Sequence, residues 1–199
     1  MPNEIFFDYI QQAIDLGFHR FQLTPQTGDI FMDRQTFEKL EFLEAHQDVT
    51  SYDFFTNFTI PTASEIKRLA DLTKLSSLIV SIYGHDLDSF MAITQSTEKV
   101  YQRLIGNLET LLELRDRFGE KLLLCFRSYS KLPKGVSSDL LDLLKRFRAV
   151  NVPVHVNRLY NNWGGYITNE DVRGLDMQIS ESDSTYKKGA CTLLFSQIQ

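Results

Sequence analysis

The 199-residue chain predicts an α/β fold with a parallel sheet, and two features of the sequence carry that prediction. Short apolar runs alternate with amphipathic stretches for about five rounds, which is the order of strands separated by helices. Apolar strands joined by helices pair in parallel and lie under those helices. No residue-level repeat competes with this order. With right-handed crossovers two architectures remain, a doubly wound sheet or part of a (β/α) barrel, and periodicity does not separate them.

Each element has its own warrant. Glu4 to Leu16 carries Ile5, Tyr9, Ala13 and Leu16 at helical spacing and stops at Gly17. Phe18 to Leu23 reads as a strand ending at Thr24-Pro25. Thr36 to His46 is a helix with Phe37, Leu40, Phe42 and Leu43 as its stripe. Ser51 to Ile60, rich in aromatic and β-branched residues, reads as a strand. Pro61 precedes a helix over Ser64 to Leu72, with Ser64 as its N-cap. Leu78 to Ile82 is a strand, Glu98 to Phe118 a long helix closed by Gly119, and Lys121 to Phe126 a strand. Ser138 to Val150 is a helix and Pro153 to Val156 a last short strand. After Tyr160 the pattern dissolves into Asn, Gly, Ser and Asp, so 1–160 reads as the α/β unit and 161–199 as an irregular tail.

Bulk properties narrow the function. A formal net charge of -5 argues against a nucleic-acid partner, since phosphate binding needs a basic face. No apolar run is long enough to span a bilayer, and the acidic, amphipathic N-terminus is not a signal or transit peptide, so a cytoplasmic location and no membrane partner are expected. Cys125 and Cys191 are too few and too far apart for a disulfide framework or a metal pattern. No glycine-rich nucleotide fingerprint, nucleophile elbow or HExxH is present.

In either architecture ligands bind beyond the carboxyl ends of the strands. Those ends carry Thr27-Gly28-Asp29, Thr56-Asn57, Ser81 with Tyr83-Gly84-His85-Asp86, Arg127-Ser128-Tyr129, and Asn157-Arg158 with Asn161-Asn162. Hydrogen-bonding residues at all five ends favour a ligand site, although each one alone also suits an ordinary turn. Gly28 permits close backbone approach and Asp29 can accept from a cationic amine, or the pair is a simple turn after Pro25. Arg127, leaving a buried strand, needs a partner, either a ligand carboxylate or an internal one such as Asp29. His85 and Asp86 are adjacent on an extended chain and should point apart, which disfavours a catalytic dyad. His155 in "VPVHV" reads as a core histidine.

Taken in order, "QLTPQTGDIFMD", "FFTNFTI", "IVSIYGHDLDSF", "LCFRSY", "NRLYNNWGGYI" and "GACTLLF" resemble the radical S-adenosylmethionine superfamily over nearly the whole chain, particularly its branch with a cysteine-rich SPASM or twitch extension. The resemblance implies a partial (β/α)6 TIM-like barrel, here missing its first strand, with 161–199 leading into a truncated extension. It implies S-adenosylmethionine and a [4Fe–4S] cluster as cofactors and a small-molecule or peptide substrate. Thr27, Gly28 and Asp29 would face the methionine amine, and Thr56 and Asn57 would end the family's third strand. Ser81 and Tyr83 would lie on a ligand-facing strand end, Arg127 at the methionine carboxylate, and Asn157 on the last strand. In a longer chain Cys191 would be the first ligand of an auxiliary cluster. The family's CxxxCxxC is absent, so no cluster is expected on this chain alone and the chain reads as incomplete. The alternative is a binding module of the same fold without catalysis. A missing first strand would also expose the Phe18–Leu23 strand as an edge, so self-association is expected.

Overall fold

The computed structural model describes residues 1–25, 27–127, 132–156, 159–160, 167–173 and 178–179. Five strands and seven α-helices alternate from the N-terminus: α1 (Asn3–Asp15), β1 (Arg20–Gln22), α2 (Thr36–Ala45), β2 (Ser51–Thr56), α3 (Ala63–Asp71), β3 (Leu75–Ile82), α4 (Leu87–Thr94), α5 (Glu98–Glu113), α6 (Arg115–Phe118), β4 (Leu122–Phe126), α7 (Asp139–Ala149) and β5 (Val154–Val156). A further parallel pair joins β6 (Leu159–Tyr160) to β7 (Gln178–Ile179), the latter inside the stretch read as an irregular tail. Among the described residues no helix is long and apolar enough to cross a membrane.

The five strands form one all-parallel sheet in the order β1-β2-β3-β4-β5. Strand order therefore follows chain order with no reversal, which rules out a doubly wound arrangement of these strands. Right-handed crossovers between successive neighbours place every connecting helix on the same side. Side-chain burial agrees with this. Phe21, Tyr52, Phe54, Leu78, Val80, Ile82, Leu122, Leu124, Phe126 and Val154 alternate along the strands, and all belong to the single core cluster shared with the helices. The residues between them lie on the other face, where Gln22, Asp53, Phe55, Ser77, Ile79, Leu123 and His155 are half-buried or exposed and Ser81 and Cys125 are buried.

The sequence-based boundaries shift for identifiable reasons. β2 stops at Thr56 rather than Ile60, because Asn57 Oδ1 accepts from the Thr59 N–H and hydroxyl (3.2 and 2.8 Å) and Phe58 takes a φ of 59°. The cap of α3 is Thr62 rather than Ser64: its hydroxyl accepts from Glu65 N while the Glu65 carboxylate accepts from Thr62 N, a reciprocal capping box. β3 starts three residues early, across a bulge at Ser76, whose hydroxyl donates to the Tyr52 carbonyl (2.9 Å). The helix expected over Glu98–Phe118 breaks at Leu114 into α5 and α6. Helix α4 was not anticipated; Asp86 caps it, with Ser89 completing a second box.

Candidate functional site

The strand ends that the sequence singles out do converge at one end of the sheet, but they fall into two clusters on opposite faces. The first lies on the helix side of β2. Asp29 is buried, and its Oδ2 accepts from the Thr56 hydroxyl (2.8 Å) and the Asn57 N–H (2.7 Å), while Oδ1 accepts from the Phe31 N–H (3.0 Å). Thr56 accepts in turn from the Phe58 N–H (2.9 Å). Asn107 on α5 donates to the carbonyls of Phe58 and Pro61, both at 2.9 Å, and holds this turn from behind. The cluster thus ties the loop after β1 to the end of β2. Three protein donors occupy the Asp29 carboxylate, and it is not the partner of Arg127. Thr27 and Gly28 are exposed on the turn beside it, with Gly28 at a φ of 84°.

The second cluster lies on the open face. Arg127 continues β4 beyond Phe126, and its backbone N–H donates to the Ile82 carbonyl (2.8 Å). Its Nε donates to the Ser81 hydroxyl at 2.7 Å, and the guanidinium sits 5.1 Å from the centre of the Phe55 ring. Arg127 joins no ion pair among the described residues. Its terminal nitrogens are donors in a fixed fork, suited to a carboxylate or phosphate. Phe55, Ile79 and Leu123 are register partners across β2, β3 and β4 and make an apolar row beneath it. Asp53, two residues before Phe55 on the same face, accepts from Gln22 Nε2 at 3.0 Å. The open face therefore presents a cation, an apolar floor and a carboxylate.

The sequence reading missed Phe55, Asp53 and Gln22. The signal was the alternation in "SYDFFT", where a carboxylate between Tyr52 and Phe54 must face away from the core they share. Tyr83 is half-buried at the end of β3. Gly84, beside it, has a φ of 72°, and a Cβ there would lie 2.5 Å from the Phe90 backbone nitrogen, so only glycine lets the chain pass the first turn of α4. His85 and Asp86 do meet, Nε2 to Oδ2 at 3.2 Å, contrary to the expectation that neighbours point apart. Asp86 is nonetheless a helix cap. Burial pushes its carboxyl up, but the Ser89 hydrogen bonds and the His85 charge outweigh that and hold it below the ordinary aspartate range. His155, expected in the core, is exposed on the open face opposite Cys125. Asn157 and Cys191 lie outside the described residues.

The metal expectation can be tested on the chemistry of the side chains. Iron–sulfur clusters are held by thiolates, typically about four. The chain has Cys125 and Cys191 alone. Cys125 is buried on β4, and burial pushes its thiol up against the opposing charge of Arg127, the wrong direction for a thiolate ligand. No group of three or more His, Cys, Asp or Glu side chains converges among the described residues. The residues present do not fit a [4Fe–4S] cluster. A separate cleft of about 870 Å³ opens beside β1, between α1 and the loop leading to α2, and reaches Thr27 and Asp29 but not Arg127. No protein-family model and no curated protein matches the chain, so its function has to be read from its own residues.

Proposed function

We propose that this protein is a small-molecule binding module built on an arc of a (β/α) barrel, which holds a zwitterionic amino-acid-like ligand on its open face. Arg127 is the observation that carries the reading. A half-buried arginine is steadied by Ser81 and Phe55 and meets no acidic side chain among the described residues, so it suits a ligand carboxylate. Asp53 supplies the opposite charge for an ammonium group, and the Phe55–Ile79–Leu123 row supplies an apolar floor. S-adenosylmethionine has these features, and the resemblance to radical S-adenosylmethionine proteins makes it the first ligand to try. In this assignment Asp53 takes the amine-binding role that the resemblance gave to Asp29. A cytoplasmic location belongs to the same proposal.

Calorimetry with S-adenosylmethionine, methionine and methionine amide tests it. Binding of the first two should fall at least about tenfold in Arg127→Met, roughly the worth of one charge-assisted contact. Methionine amide, lacking the carboxylate, should bind wild type weakly and be indifferent to that change. Equal binding of acid and amide, or no binding of either acid, would sink the reading. The second reading is a radical enzyme whose cluster cysteines come from elsewhere. The outer edge of β1, which pairs with no strand among the described residues, favours it, because another polypeptide could add there. Iron uptake and cleavage of S-adenosylmethionine that appear only when this chain is combined with a cysteine-bearing partner polypeptide, and not with this chain alone, would replace the binding proposal with that one.

A further inference from the structure

We infer, on the binding mode proposed for the open face, that this site selects a primary ammonium group and that Gln22 makes the selection. Gln22 and Asp53 are register partners on β1 and β2, and both are half-buried on the open face. Gln22 Nε2 donates to Asp53 Oδ1 at 3.0 Å. That bond decides which way the amide lies. A carboxylate can only accept, so the NH2 group turns to Asp53 and the amide oxygen, Oε1, is the end left over. Neither Oε1 of Gln22 nor Oδ2 of Asp53 makes a hydrogen bond among the described residues. Neither is sealed away from solvent without a partner, so a ligand can reach both. Asp53 joins no ion pair among the described residues, and Arg20, two residues before Gln22 on the same face, is exposed and stays apart from it.

The hydrogen-bonded pair therefore offers two acceptors, one charged and one neutral. Such a pair reads N–H groups as well as charge. A primary ammonium has three N–H donors, enough to serve Oδ2 and Oε1 together and leave one for water. Each N-methyl group removes a donor and leaves the charge in place. A trimethylated amine still attracts Asp53 but gives Gln22 nothing, and its methyl groups take water from an oxygen that then has no partner. Asp53 supplies the attraction and Gln22 the discrimination. The ligand class is an amino acid with a free primary amine, as against a betaine or another N-alkylated relative.

Calorimetry on the full chain with methionine, its N-trimethyl betaine and its desamino analogue, which lacks the amine, is the test. Wild type should bind methionine at least about tenfold tighter than the betaine, roughly the worth of one hydrogen bond from a charged donor. Gln22→Leu should weaken methionine by a similar factor and leave the betaine and the desamino analogue unchanged, so the preference disappears. Gln22→Met, which keeps the length of the side chain, should behave alike. Asp53→Asn should weaken methionine and the betaine together and spare the desamino analogue. Circular dichroism melts confirm that each variant folds. A betaine as tight as methionine, or Gln22 variants that keep the preference, would overturn the selection while Arg127-dependent binding of methionine stands. So would Gln22 variants that weaken methionine and the betaine equally, as a mere prop for Asp53 would. Binding of neither methionine nor the desamino analogue would sink the open-face site itself, and the selection with it.

Discussion

The two faces of the sheet are made from the same strands, often from adjacent residues, yet they are built to different ends. Phe54 is fully buried under the helices, and Phe55, its neighbour, is half-buried beneath a guanidinium on the open side. On the helix side polar groups are consumed by one another, as Asp29 is by Thr56, Asn57 and Phe31. On the open side Arg127 and Asp53 keep capacity to spare. The comparison teaches that a polar residue at a strand end acquires its role from the face it falls on.

Phe54→Ala and Phe55→Ala separate the faces most sharply. The first should cost about 3–5 kcal/mol, the range for removing a buried aromatic side chain. The second should cost no more than about 1.5 kcal/mol, since much of its area is already in water. Equal losses in urea melts would mean that the open face is packed as tightly as the helix side. Gly84→Ala comes next. The backbone of Phe90 stands where the new Cβ would go, so the turn must reopen, and a loss of about 2–4 kcal/mol is expected from such an overlap in a left-handed turn.

Glu44 probes the strand ends away from the site. Its carboxylate accepts from the Tyr52 hydroxyl, the Thr73 N–H and hydroxyl, and the Lys74 N–H. Burial pushes this carboxyl up, but those hydrogen bonds outweigh it and hold it below the ordinary glutamate range. A depressed carboxyl stabilises the fold fully above its unfolded-state value and loses that contribution as pH falls through the folded value. Glu44→Gln should therefore cost about 1–2 kcal/mol at neutral pH, and the gap to wild type should close on acidification. A gap that persists in acid would show that packing rather than charge is at work. The smallest effect on stability belongs to Arg127→Met, within about 0.5 kcal/mol because no buried ion pair is broken, although the same variant should lose ligand.

Much of the architecture was legible because its signals are local. The stop at Gly17 and the helix from Ser138 to Val150 follow from composition and spacing, and the alternation of elements gives the parallel sheet. Helix α4 escaped because it is short and buries Phe90 alone, so it shows almost no stripe; Asp86 and Ser89 were its visible markers. β2 was overrun because Phe58 and Ile60 have strand propensity, which the Asn57 turn overrides. The convergence of Asp29, Thr56, Asn57, Ser81 and Arg127 at one end was readable from the order of elements. Their division between faces was not. A strand's side chains change sides at every residue, so an uncertainty of one position at a strand end reverses the face of everything beyond it. Asp53 and His155 were misjudged or overlooked for the same reason.

The order of the strands has a further consequence, for the way the chain reaches its fold. Every pairing in the five-strand sheet joins a strand to the next one in sequence. No strand must wait for a distant segment, and each added hairpin-like unit of strand, helix and strand finds its template already in place. A chain emerging from the ribosome can extend the sheet from β1 toward β5 as it is made, so nascent lengths ending after α3, α5 and α7 should acquire protease resistance in that order.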